Sequence, residues 1–248
     1  MPSRYVQDGQ YRISFGGPLT PAVKGLIIAN VAVYFLELVV KGYFQADVWD
    51  AVLAAFALNP PLVFKSLFLW QLVTYMFMHS PGSVFHILFN MLVLWMFGGE
   101  IERIWGPSRF VRYYLICGMG GGLLNCAFAP LSQTVGASGA IFGVIVAYGM
   151  LFPTREILFW GIFPMSARQF TILLALIELF SLGAFSSEGV ARFAHLGGAL
   201  TGYLLVKGTW DPRRLLRDIR WRIRRRRFRT IDRDEPRRSR SDRDYPFH

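Results

Sequence analysis

The chain is short of charge. Asp, Glu, Lys and Arg together make up 17% of it, against 53% apolar residues. A soluble domain of this size needs more polar surface, which excludes an ordinary soluble class in favour of a polytopic membrane protein. Cysteine is equally scarce. Cys117 and Cys126 fall in one predicted helix, where the helical rise separates them by ~13 Å, too far for a disulfide. They carry no message about redox compartment. Internal repeats and a separable soluble domain are missing as well. So is a charged-then-apolar stretch with a cleavage site at the N-terminus, and no removable signal peptide is expected.

What the chain has instead is long apolar runs. They predict six spans, at about residues 21–40, 83–99 (extending toward Arg103), 110–128, 138–152, 170–184 and 192–207. Lys24 and Glu37 sit near the two ends of the first span, where they can reach the interface. Residues 42–80 are too apolar for a solvated loop and too interrupted by Pro60 and Pro61 for a span. With Trp70 and Tyr75 as anchors, they read as short helices lying partly in the outer interface. The domain reading is a tail over 1–20, an all-α membrane body over 21–208 and a basic, disordered tail over 209–248.

Charge placement orients the body. Arg103, Arg109 and Arg112 lie between spans two and three, Arg155 and Arg168 between four and five. Residues 207–248 carry 16 basic and 7 acidic side chains. The positive-inside rule puts both termini in the cytoplasm. The loop after span three is uncharged, and Glu188 with Arg192 follow span five. The tail around Trp221 and Phe228 mixes arginine with aromatics; an anionic-lipid contact explains it more simply than nucleic-acid binding.

Val135-Gly136-Ala137-Ser138-Gly139 stands where a loop gives way to an apolar helix. The glycines admit a substrate backbone, and the first N–H groups of the helix are free to stabilise a negative oxygen. Small residues around a serine also suit close helix packing, so Ser138 by itself decides nothing. Depth adds to it. Spans two, four and six all begin at the outer face, and their first turns hold His86 and Asn90, Ser138, and His195. The fourth helix is only ~22 Å long against a hydrocarbon core of ~30 Å, which submerges Ser138. Ser138 and His195 supply a nucleophile and a base. His86 and Asn90, four apart on one helical face, can aim at one point and form an oxyanion hole with the Ser138 N–H. Gly198-x-x-x-Gly202 allows close contact with the fourth helix, which brings His195 to Ser138. No aspartate stands near enough to orient the base, so a dyad is predicted.

His86-Ile87-Leu88-Phe89-Asn90, Gly136-Ala137-Ser138-Gly139, Ala194-His195 with Gly198-x-x-x-Gly202, and Glu102-Arg103-Ile104-Trp105-Gly106 occur in this order. From about Thr20 to Lys207 the chain resembles the rhomboid intramembrane serine proteases. The resemblance implies a six-helix bundle that cleaves transmembrane protein substrates. It makes Ser138 the nucleophile, His195 the base, and His86 and Asn90 the oxyanion donors. Phe142, one turn after the serine, takes the place of the aromatic that stacks on the histidine; many relatives have tyrosine there. Gly136, Gly198 and Gly202 support the site. Neither a cofactor nor a metal is expected, and the bacterial cytoplasmic membrane is the expected location.

Other readings stand beside this one. His195 also suits a hydrogen-bonded, inert packing histidine. A silent rhomboid-like adaptor would bind membrane helices without cutting; a transporter or proton pathway would use His86, His195 and Glu178. Glu178 is an intramembrane carboxylate, read first as structural. His79 reads as interfacial, with lining of the outer cavity as the alternative; Glu102 and Arg103 read as an ion pair or cap at the cytoplasmic end of span two, and Asn30 and Asn125 as interhelical glue.

Overall fold

The computed structural model describes residues 17–159, 162–181 and 189–208. The readings placed on the first 16 residues, on Glu188 and on the basic tail from 209 onward lie outside them. The compact body ends at Val206.

Helix α1 (Pro21–Tyr43) opens with proline in its first turn, where the missing N–H costs nothing. Its other first-turn donors are capped from far along the chain. The Glu102 carboxylate accepts from the backbone N–H groups of Ala22 and Val23, each at 2.9 Å, and from the Thr20 hydroxyl. Residues 42–80 fold into α2 (Ala46–Phe56), α3 (Pro60–Lys65) and α4 (Gln71–Thr74). Pro60 and Pro61 start α3 rather than merely interrupting a helix: Asn59 caps it, its side chain accepting from Leu62 N–H. Helix α5 (Val84–Val93), a π-helical turn over Leu94–Gly98, and α6 (Gly99–Trp105) run on as one helix. Gly106, at φ +79°, reverses the chain into α7 (Pro107–Phe128).

Helix α8 (Ser138–Leu151) is the centre of the body, with ten of its fourteen residues buried. Helices α5, α7 and α9 (Ala167–Ser181) pack around it, and α10 (Gly189–Lys207) follows. The surface is apolar as well as the interior. Phe35 and Leu36 on α1, Phe85, Leu88 and Phe89 on α5, and Leu179 and Phe180 on α9 are all exposed. Such faces are liabilities in water and the natural exterior of a helical protein dissolved in lipid.

Among the described residues, Pro21–Tyr43 and Val84–Trp105 are long and apolar enough to cross a membrane; Ser138–Leu151 is apolar but shorter. The all-α reading needs a correction. Glu156–Phe159 and Phe163–Ser166 pair as an antiparallel hairpin, β1 and β2, between α8 and α9. Their extended backbone satisfies its own ladder, so this short connection needs no helix. Arg155 Nη1 ties the hairpin to α6 through Glu100 Oε2 at 2.6 Å. Glu37 is not interfacial but buried, accepting from the backbone N–H of His79. Asn30 donates to Leu26 O in its own helix, and Asn125 donates to Ser132 and Thr134 in the loop before α8. The Asn125 bonds join a helix to a loop, whereas the Asn30 side chain also faces the Tyr114 hydroxyl of α7.

Glu102 satisfies three donors at once, so Glu102→Ala should strip the α1 start of its cap. The expected loss is about 1–3 kcal/mol, read as a lower thermal midpoint of the detergent-solubilised protein.

Candidate active site

The loop entering α8 is pinned before the serine arrives. Leu58 and Thr134 exchange two backbone hydrogen bonds, at 2.9 and 3.0 Å, and Gly136 N–H donates to Tyr75 O at 2.9 Å. The Tyr75 hydroxyl in turn donates to Gly118 O of α7. Gly136 sits at φ +127°, the left-handed region that favours glycine, and a β-carbon there would stand 2.8 Å from His86 Nε2. The position therefore needs glycine for both its backbone and its space. Ser138 follows as the first residue of α8, with its backbone N–H among those the helix leaves unpaired.

Helix α10 meets α8 backbone to backbone. A β-carbon on Gly198 would lie 1.8 Å from Gly139 O; one on Gly202 would lie 2.8 Å from Gly143 Cα and 2.5 Å from the Tyr113 hydroxyl. That hydroxyl donates to Gly143 O. With the axes this close, His195, one turn before Gly198, reaches across. Its Nε2 lies 2.7 Å from Ser138 Oγ. Phe142 lies flat on the imidazole, ring centroids 4.6 Å apart and planes 10° from parallel. On the other side of the ring, His195 Nδ1 is 3.0 Å from Glu178 Oε1 of α9.

A second polar group backs the serine. His86 Nε2 hangs over Gly136. Its ring meets that of His79 edge to face, at 5.1 Å. Asn90, buried, donates from Nδ2 to His79 Nε2 at 3.1 Å, which places the His79 ring hydrogen on Nδ1, facing Phe77 O. His79 is thus no interfacial residue. It is fully buried and held at its backbone by Glu37. Burial pushes its imidazole down to about 4, with the neighbouring His86 ring adding to the shift.

With this geometry in place, comparison with known proteins is decisive for the family. A family model described as Rhomboid domain matches residues 67–211. The chain belongs to the rhomboid family. It is 41% identical over 137 residues to RHOMBOID-like protein 4 of Arabidopsis thaliana, covering 55% of this chain and 33% of that one. It is 32% identical over 132 residues to Rhomboid protein 1, mitochondrial, of Saccharomyces cerevisiae, covering 50% and 38%. Rhomboid protease GluP of Bacillus subtilis is 29% identical over 145 residues, covering 58% and 27%. The chain spans about a third to two-fifths of the length of its plant relatives. It is an integral membrane protein by family, and its relatives include proteins named as proteases and others named only as rhomboid-like.

In this rhomboid the structure gathers Ser138, His195, Phe142, Gly136, His86, Gly198 and Gly202 at one end of α8. Asn90 joins them through its bond to His79. Sequence reasoning passed over three groups of this cluster. Glu37 and His79 were assigned to the interface on position alone. Glu178 is a glutamate, and the dyad expectation rests on the lack of a nearby aspartate. A signal was available: α9 and α10 are joined by a short connection, so the end of one and the start of the other share a depth. Among the described residues no cluster of histidine, cysteine or carboxylate suits a metal ion.

Two predictions follow from this geometry. Gly198→Ala should force α10 off α8, costing about 1–3 kcal/mol and separating His195 from Ser138, whereas Gly25→Ala, with nothing within 4 Å of the new carbon, should be neutral. Thermal midpoints and serine-probe labelling read both. His79 is neutral in the fold at a pH where the unfolded chain already binds the proton. Stability should therefore be full above pH 6.5 and fall as pH drops toward 4. A thermal-midpoint series across that window checks it, and His79→Gln should flatten the slope.

Proposed function

We propose that this rhomboid is an intramembrane serine endopeptidase. The observation that carries the reading is the 2.7 Å contact between His195 Nε2 and Ser138 Oγ under the Phe142 ring. A hydroxyl with an imidazole in hydrogen-bond reach is an activated nucleophile, and the stacked ring holds the base in its working rotamer.

In this mechanism His195 takes the Ser138 proton as Oγ attacks the scissile carbonyl. The oxyanion that forms is held by the Ser138 backbone N–H, His86 and Asn90. Asn90 has two amide hydrogens, and the bond to His79 uses one and aims the other. His195 then gives its proton to the leaving amine. Water, activated by the same imidazole, releases the acyl group.

Six spans, α1, α5–α6, α7, α8, α9 and α10, complete the proposed body. The arginine-bearing connections lie on the cytoplasmic side by the positive-inside rule, which places Ser138 toward the outer face. A helix of 14 residues is about 21 Å long against a core of about 30 Å, so Ser138 sits below the surface. Substrates are membrane proteins whose span carries small or helix-breaking residues near its outer end, because attack needs an extended backbone. The arginine-rich tail serves as an anionic-lipid contact.

Labelling with a fluorophosphonate probe tests the reading. Folded wild-type protein should label, and Ser138→Ala and His195→Ala should each abolish it. Labelling or substrate cleavage that survives Ser138→Ala overturns the mechanism. Absence of labelling in folded wild type points instead to a helix-binding adaptor.

A further inference from the structure

The imidazole of His195 has two ring nitrogens, and only one of them is used by a serine–histidine pair. Nε2 faces Ser138 Oγ. For Nε2 to accept the serine proton its lone pair must be bare, so the neutral ring must carry its hydrogen on Nδ1. That nitrogen is buried and makes no hydrogen bond to the described residues apart from an ion-pair contact with one carboxylate oxygen. A buried N–H with no acceptor costs about 1–3 kcal/mol, and the ring would flip its tautomer to avoid that cost. The group that meets Nδ1 is Glu178 Oε1, at 3.0 Å.

Glu178 is hard to explain otherwise. It lies on α9 between Ile177 and Leu179, both exposed on an apolar face, where a carboxylate is expensive unless something repays it. Here Oε2 is buried without a hydrogen-bond partner among the described residues, and Oε1 is turned to the imidazole.

We propose that Glu178 is a positioning residue for His195: its carboxylate holds the Nδ1 hydrogen, fixes the tautomer whose bare Nε2 faces Ser138, and stabilises the imidazolium formed during attack. The inference rests on the protease reading above and replaces its dyad with a Ser138–His195–Glu178 triad. Proton bookkeeping closes at each step. The Oγ proton moves to Nε2 as the Oγ–carbon bond forms. Nδ1 keeps its own hydrogen throughout, and the Glu178 carboxylate faces the new positive charge. The Nε2 proton leaves with the amine as the carbon–nitrogen bond breaks. In deacylation the water oxygen bonds to the acyl carbon as its proton moves to Nε2, and that proton passes to Oγ as the Oγ–carbon bond breaks.

The full-length protein in proteoliposomes, with a transmembrane model substrate, tests this. Glu178→Gln keeps the shape of the side chain but offers an N–H to Nδ1 and so favours the wrong tautomer. It should lower kcat by about 10²- to 10⁴-fold with KM changed little. Glu178→Asp keeps the charge and should recover part of the loss. Glu178→Gln retaining kcat within about threefold of wild type overturns the proposal, since an isosteric amide satisfies a purely structural role. A second measurement needs no variant: ¹⁵N chemical shifts of His195 should report hydrogen on Nδ1 and a bare Nε2, and the opposite tautomer overturns it equally. The two readings fail separately. Activity that survives Ser138→Ala removes the protease itself, whereas an essential Ser138 and His195 with a dispensable Glu178 leaves a dyad.

Discussion

The site depends on how closely two backbones approach. Gly139 and Gly143 on α8 face Gly198 and Gly202 on α10 with no side chain between them. Lipid offers no hydrophobic drive for helices to associate, so contact area and dispersion must do it, and only the smallest residues allow that contact. The reach of His195 to Ser138 is a consequence. An imidazole is short, and with ordinary side chains between the helices its Nε2 would fall well away from Oγ. Helices α7, α9 and α5 pack on the rest of α8 and make it the axis of the body.

Around that axis, polar groups buried below an apolar exterior are organised in two ranks. The first is the serine end of α8, with His195, Phe142 and Glu178 on one side and His86 on the other. The second is the relay of Glu37, His79 and Asn90, which hangs between α1, the connection over residues 44–83 and α5. Glu37 and His79 take part in no step themselves. They satisfy one another where water is scarce, and so hold the Asn90 amide and the His86 ring in place. The connection between α1 and α5 belongs to this support. Its backbone bonds at Leu58 and Tyr75 carry the segment that delivers Ser138.

Much of this was legible in the sequence, for identifiable reasons. Apolar runs report helices, because lipid forces backbone groups to pair internally. Four helices, α7 to α10, began within three residues of where the runs placed them. Ser138, His195, His86 and Asn90 were found because polar residues at matched depths in apolar helices are rare. What stayed hidden had weak local signals. The hairpin at Glu156–Ser166 is short and mixed in composition. His79 and Glu37 lie near the ends of apolar stretches, where position alone cannot distinguish a lipid headgroup from a protein neighbour.

Hydropathy and spacing alone were enough to show a helical membrane protein, where its helices begin, and which serine and histidines stand out in apolar helices. Hydropathy and spacing are properties of single helices, and a single helix carries them without its neighbours. Only the tertiary structure decided what each of those groups touches: Glu178 against His195, Asn90 against His79, and Glu102 on the start of α1. Those contacts depend on the rotation of each helix about its axis, which is set by the packing of every other helix against it.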